Sequence, residues 1–102
     1  MGRTSRQVPV RIGGKLKRIR EELGLSQNEM LGQLGFDDKD GLYRSSISGY
    51  ELGLRMAPYN ILIAYAKLAN VYLEVLVDDE LDLPLEEMPF KVKSEGIRRL
   101  FG

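Results

Sequence analysis

Apolar residues recur along residues 12–77 at the three- and four-residue steps of amphipathic α-helices. The repeating apolar positions of the first and fourth predicted helices are Ile12, Leu16, Ile19, Leu23, Ile61, Leu62, Tyr65 and Leu68. Glycine or asparagine, which are typical of helix C-termini, follow four of the stripes. These are Gly24, Gly35, Gly53 and Asn70. The pattern predicts an all-α fold of five helices, with no sheet in the core.

Ser26 and Glu29 form a capping-box sequence, which predicts that the second helix starts at this serine. The third helix is predicted in the segment RSSISGYELG, with Ser45 or Ser46 near its N-cap. Pro58 suits the first turn of a fourth helix, and a short fifth helix is expected over residues 73–77. The core residues predicted from these stripes are Ile19, Leu34, Ile47, Tyr50, Leu62, Leu68, Leu73 and Leu76.

Three segments differ in composition. Residues 1–10 are polar and basic, without apolar periodicity, and we expect a flexible N-terminal arm. Residues 11–83 form the predicted helical domain. Residues 84–102 contain two prolines and mixed charge, and this extension is expected to be a dimerisation segment, a tail, an extended arm or an additional helix over residues 97–101.

The composition excludes several kinds of chemistry. The 102 residues contain no cysteine and no histidine, which excludes disulfides, Cys/His zinc sites, thiol nucleophiles and histidine bases. We therefore expect neither an enzyme nor a cofactor or metal site. No apolar run is long enough to span a membrane, and no secretory signal is visible, so we expect a cytoplasmic protein with no membrane partner.

Charge is segregated along the chain, although the formal net charge is zero. Residues 1–20 carry basic residues and no acidic ones, whereas residues 74–87 carry acidic residues and no basic ones. Phosphate binding needs a local positive face and not a positive total. A basic N-terminal region with Arg3, Arg6 and Arg11 is therefore compatible with nucleic-acid binding.

Three strings follow one another along the chain: LGLSQNEMLGQLG, RSSISGYELGLR and P-x-x-x-L-x-x-Y-A-K-L-A-N-V-x-L-x-x-L. Together they resemble the phage-repressor (Cro-like, XRE) family of helix-turn-helix domains. The resemblance covers residues 12–76. It implies a compact five-helix domain whose third helix enters the major groove of duplex DNA.

The resemblance also implies contact residues. Gln27, which opens the second helix, and Arg55, which follows the third, would contact phosphates, and Arg44 could donate to guanine O6 and N7. The residues expected along the outward face of the third helix are Arg44, Ser45, Ser46, Ser48 and Gly49. Glu51 matches a position that the family uses structurally, so it should bond within the domain. Arg44 could instead pair with Asp38 or Asp40.

Three positions depart from the family. The turn between the second and third helices is longer than usual by about six residues, 37–42, and its three aspartates would repel phosphates unless they point aside. Leu31 replaces the usual alanine, and the long turn and Gly49 could make room for it. Gly49 itself stands where the family often has a long polar residue that reads bases.

We expect a sequence-specific regulator of transcription, most simply a repressor, that binds an operator in double-stranded DNA as a homodimer. An antitoxin is an alternative, with the acidic residues and the tail contacting a toxin protein; a protein-interaction module that has kept only the fold is another. The apolar residues available for a dimer interface are Tyr72, Val75, Val77, Leu81, Leu83, Leu85, Met88 and Phe90. Alternatively, this segment folds back over its own domain.

Overall fold

The structure is a computed structural model, and it describes residues 9–36, 39 and 41–87. Within them the chain forms five α-helices and no strand, which confirms the predicted fold class. The helices are α1 (Ile12–Leu23), α2 (Gln27–Leu34), α3 (Arg44–Leu52), α4 (Tyr59–Ala69) and α5 (Leu73–Val77), followed by a 3₁₀ turn, Leu85–Glu87. Arg3, Arg6, the aspartates of the long turn (Asp37, Asp38 and Asp40), Met88, Phe90 and the helix suggested over residues 97–101 lie outside the described residues.

The predicted start of α2 and the predicted C-terminal ends of the first four helices are confirmed. Ser26 accepts a hydrogen bond from the amide of Glu29, whose side chain accepts one from the amide of Ser26, so α2 begins with a complete capping box. The residues that follow α1, α2, α3 and α4 all take the left-handed backbone conformation. At the end of α4 this is Asn70, with a φ of 59°, a conformation that asparagine tolerates better than most residues.

The core lies where the five helices meet. α1 packs against α3, α4 and α5, and α2 packs against α3 and α4. The predicted core residues are buried, apart from Leu73, which is partly buried against the others. Leu42, at the end of the long turn, and Ala57 join the core without having been predicted. Leu42 therefore anchors the long turn to the domain.

α1 crosses α3 at very close range at Gly13. A Cβ atom at this position would lie 2.7 Å from the backbone oxygens of both Tyr50 and Glu51. Real Cβ atoms do not approach backbone oxygens so closely, and neither helix could move without disturbing the core. Glycine at position 13 therefore allows the two helices to pack.

The start of α1 is capped from the far end of the domain. The side chain of Asp79 accepts hydrogen bonds from the amides of Val10 and Arg11, at 2.9 and 3.0 Å. The guanidinium of Arg11 donates to the backbone oxygen of Asp79 and to the carboxylate of Asp82. We call these contacts the acidic cap. Arg11, which the sequence grouped with the basic arm, is thus engaged within the domain.

Lys15 reinforces this junction from inside. Its Nζ donates to the backbone oxygens of Val75 and Asp78, at 2.6 and 2.9 Å, at the C-terminal end of α5. Burial, followed by the positive charge of Arg11, lowers the pKa of Lys15. Leu83 and Val77 pack against the core of the same domain. The chain after α5 therefore folds back over its own domain as far as Leu83. This arrangement is the alternative to a dimer interface that the sequence left open for this segment.

Candidate nucleic-acid interface

Glu51 joins the first three helices through a buried ion pair. Its carboxylate accepts hydrogen bonds from Nε and Nη2 of Arg20 in α1, at 2.6 and 3.0 Å, and from the side-chain amide of Gln27 in α2, at 3.2 Å. Arg20 also donates to the backbone oxygen of Leu25. The hydrogen bond to Glu51 raises the pKa of Arg20. The prediction that Glu51 bonds within the domain is confirmed, and this network fixes α2 and α3 relative to one another.

Gln27 is oriented by the same network. Its side-chain nitrogen carries two hydrogens, and the bond to Glu51 uses one of them. The residue is half-buried at the first position of α2. The second hydrogen is left for another acceptor.

α3 does not start where the sequence predicted. The N-cap is Tyr43, not Ser45 or Ser46, and the amide of Tyr43 donates to Oγ of Ser46 at 3.2 Å. Ser46 is 3% exposed. Its expected place on the outward face is wrong, because its hydroxyl turns back to the backbone at the helix start.

The remaining candidates lie on the surface around α3. Arg44, Ser45 and Arg55 are exposed, and Ser48 is half-buried. The first turn of α3 contains no acidic residue, so its free amides and its partial positive charge are not compensated by a side chain of that turn. This end of α3 can attract a phosphate or present side chains to an electronegative groove.

Gly49 is also buried, which contradicts its expected exposure. Its cover is the side chain of Arg55: a Cβ on Gly49 would lie 3.1 Å from Cγ, 3.2 Å from Cδ and 3.3 Å from Nε of Arg55. These are the nearest side-chain atoms, so the space beside Gly49 is taken by Arg55 and not, as the sequence suggested, by Leu31. Leu31 packs against the edge of the core.

The basic residues of α1 differ in their availability. Arg11, just before α1, bonds to the segment after α5, and Lys15 bonds to the C-terminal end of α5. Arg18 pairs with Glu22 at 2.8 Å. Lys17 is exposed. Arg44 and Arg55 are the exposed cations of α3 and of the turn that follows it. Sequence charge alone overstated the number of free cations around α1.

The described ranges contain neither a metal cluster nor a membrane-spanning helix. Among residues 9–36, 39 and 41–87, no group of three acidic, histidine or cysteine side chains is arranged to hold a metal ion. None of the helices there has the length and apolar character needed to cross a membrane.

Comparison with known proteins agrees with this geometry. Residues 13–80 match a protein-family model described as a helix-turn-helix domain. The matched range runs from the start of α1 to just beyond α5, so it includes all five helices. No curated protein and no solved structure matches the chain.

Proposed function

The chain belongs to the family of helix-turn-helix domains, and on this premise we propose that it regulates transcription by binding duplex DNA at a specific sequence. One observation carries the proposal. Arg44 and Ser45 are exposed at the first turn of α3, while Glu51, two turns later on the same helix, is fastened to α1 and α2. A helix held in this way can present its N-terminal side chains rigidly to base edges.

Each contact residue has a chemical role in this proposal. The guanidinium of Arg44 donates to O6 and N7 of a guanine, and the hydroxyls of Ser45 and Ser48 donate to or accept from neighbouring bases. Gln27 donates its second amide hydrogen to a phosphate. Arg55 also contacts the DNA. Ser46 and Gly49 have no direct contact, because both are covered.

We further propose that the protein binds as a homodimer and acts as a cytoplasmic repressor. One recognition helix reads only a few base pairs, which is too little to specify one site in a genome. Two copies related by a two-fold axis would read both halves of a palindrome about 34 Å apart. Several large apolar side chains remain exposed and are available to a second copy: Val10, Leu52, Leu54, Met56, Tyr59, Tyr72, Leu81 and Leu85.

The test starts with selection of bound sequences from random duplex DNA. We expect enrichment of a palindromic site, with an affinity that falls steeply as salt is raised. Arg44→Ala should weaken binding to that site by about 1–3 kcal/mol and relax preference at one base position of each half-site. Lys67→Ala, which removes an exposed cation of α4, is the matched control. Absence of enrichment and of salt-dependent binding would reject DNA binding and favour the protein-interaction module.

The oligomeric state needs a separate measurement. Light scattering at micromolar concentration, free and with the selected duplex, should give the mass of two chains at least in the complex. A mass of one chain on a palindromic duplex would reject the homodimer while leaving DNA binding intact.

The basic arm is the last element of the proposal. Deletion of residues 1–8 removes Arg3 and Arg6, and if both contact phosphates the slope of log affinity against log salt should fall by about two units, at about 0.9 per contact. Arg11→Ala is the control, because the acidic cap engages this guanidinium, and its slope should equal that of the wild type. Equal slopes for the deletion and the wild type would assign no DNA contact to the arm.

An antitoxin role remains the second hypothesis from the sequence. In this hypothesis the acidic segment after α5 contacts a toxin. Asp79 and Asp82 of this segment are, however, engaged in the acidic cap. Within the described residues, that surface is therefore smaller than the sequence suggested. Co-purification of a stoichiometric toxin from the native source would favour this hypothesis over a dedicated repressor.

A further inference from the structure

The side chain of Arg55 packs against α3, although residue 55 follows the end of this helix. The chain reverses at Gly53, which has a φ of 77°, and the amides of Leu54 and Arg55 both donate to the backbone oxygen of Gly49, at 2.9 and 3.4 Å. The stem of the Arg55 side chain then lies across Gly49, with Cγ, Cδ and Nε within 3.3 Å of the place that a Cβ would occupy. Arg55 thus covers the last turn of α3 at Gly49.

The covered position faces away from the core. Successive helical residues are rotated by about 100°, so Gly49 lies about 200° from the fully buried Ile47. It is four residues after the exposed Ser45, and these two residues share one face of α3. The stem of Arg55 therefore lies on the face that presents Ser45, one turn further along the helix.

The guanidinium beyond this stem is available. Arg55 is exposed, and within the described part of the chain it takes no part in an ion pair or a side-chain hydrogen bond. A guanidinium whose aliphatic stem packs against a helix loses less conformational entropy on binding than the guanidinium of an unpacked arginine side chain. Guanine N7 and O6 are the bidentate acceptors that such a fork matches in the major groove.

Glycine is the residue that permits this arrangement. A Cβ at position 49 would press on three atoms of Arg55, and a longer side chain would displace the stem altogether. Glycine inside a helix is otherwise unfavourable relative to alanine. We propose that the guanidinium of Arg55 contacts a guanine, and that its stem can cross the face of α3 because residue 49 has no side chain. Arg55 then makes the base contact that the side chain of residue 49 cannot make. This inference rests on the proposed DNA binding and replaces a phosphate contact by a base contact for Arg55.

The decisive comparison is between Arg55→Lys and Arg55→Ala in the selection from random duplex DNA. Lysine keeps the charge, and hence a phosphate contact, but cannot form the bidentate pair. We expect both variants to lose the preference for guanine at the same position of each half-site. Affinity for the selected site should fall by about 5- to 150-fold in Arg55→Ala, with less loss on a duplex that lacks this guanine.

Gly49→Ala tests the role of the glycine separately. The methyl group favours the helix, so the variant should fold with an unchanged or higher melting temperature, and the displaced Arg55 should lose the same guanine preference. Lys67→Ala controls for the loss of one positive charge and should keep the wild-type preference.

Each outcome has a clear meaning. If Arg55→Lys selects the wild-type site with wild-type affinity, Arg55 is a phosphate contact and the inference is overturned. An unchanged preference in a folded Gly49→Ala variant overturns the role of the glycine. In both cases the proposed function stands, since the wild type still selects a site. If the wild type enriches no sequence, the proposed function and this inference fail together.

Discussion

The carboxylate of Glu51 and the guanidinium of Arg20 form a two-point ion pair, with N–O distances of 2.6 and 3.0 Å. The side chain of Glu51 is 3% exposed and that of Arg20 is 15% exposed. The pair ties α3 to α1, and Gln27 extends it to α2. The orientation of α3 in the domain thus depends on this charge pair.

The first prediction concerns this pair. Glu51→Ala leaves the buried Arg20 without its counter-charge, and we expect the free energy of unfolding to fall by about 3–5 kcal/mol, measured by urea denaturation. The double variant Arg20→Met, Glu51→Leu removes both charges and should recover most of the loss. An equal loss in the single and double variants would indicate that packing, and not the unpaired charge, causes the effect.

The second prediction compares two adjacent glycines of α1. Gly13→Ala places a methyl group against the backbone of α3 and should cost about 1–3 kcal/mol of stability. At Gly14 nothing lies within 4 Å of the added Cβ, so Gly14→Ala should raise stability by up to about 1 kcal/mol through helix propensity. Urea denaturation of both variants checks the contrast. A gain in stability for both would contradict the close crossing of α1 and α3.

The third prediction concerns Tyr65, which is fully buried and whose hydroxyl has no hydrogen-bond partner among the described residues. Because a buried hydroxyl without a partner is unfavourable, Tyr65→Phe should raise the free energy of unfolding by about 1–3 kcal/mol. Tyr72→Phe, which removes an exposed hydroxyl, is the control and should have no effect. Destabilisation by Tyr65→Phe would show that the hydroxyl is bonded in solution.

Tyr65 also predicts a dependence on alkaline pH. Burial, and secondarily the charge of Glu51, raise the pKa of Tyr65 above its ordinary value of 10.0. The unfolded chain then loses this proton first, so stability falls as the pH rises above 10. The advantage of Tyr65→Phe over the wild type should therefore grow in this range.

The fourth prediction concerns the acidic cap. The amide of Val10, followed by the amide of Arg11 and nearby positive charges, lowers the pKa of Asp79 below 3.8. The folded state therefore favours the charged form, and this stabilisation is present above pH 3.8 and lost as the pH falls through the lowered pKa. Asp79→Ala should have a lower melting temperature than the wild type at pH 7, with a difference that shrinks below pH 3.8. Glu80→Ala is the control. An equal loss of melting temperature in this variant would show that the effect comes from removing any one negative charge and not from the acidic cap.

Local sequence was sufficient for the helices, for the start of α2 and for the C-terminal ends of the first four helices. A stripe such as Ile12, Leu16 and Ile19 has one buried side in any helical packing, and Ser26 with Glu29 caps a helix with its own atoms. These features depend on residues a few positions apart, and they were predicted correctly. Tyr43 was missed as the N-cap of α3 because tyrosine has no capping preference, and the bond to Ser46 uses its backbone amide.

Contacts between distant residues could not be predicted in the same way. Lys15 can be buried because two backbone carbonyls at a helix end 60 and 63 residues later accept hydrogen bonds from its Nζ. Asp79 caps a helix that starts more than 60 residues earlier. Arg55 covers Gly49 only because the turn at Gly53 has a particular geometry. A single sequence records the residues in such contacts and not their proximity.

The acidic cap also brings the residues just before α1 and the segment just after α5 to one point. The amides of Val10 and Arg11 lie within 3.0 Å of side-chain oxygens of Asp79, although 69 and 68 residues separate them along the chain. A short linker could join these two points at little entropic cost, and new chain ends could be opened in the long turn after Gly35. The domain therefore has the topology of a closed ring suited to circular permutation.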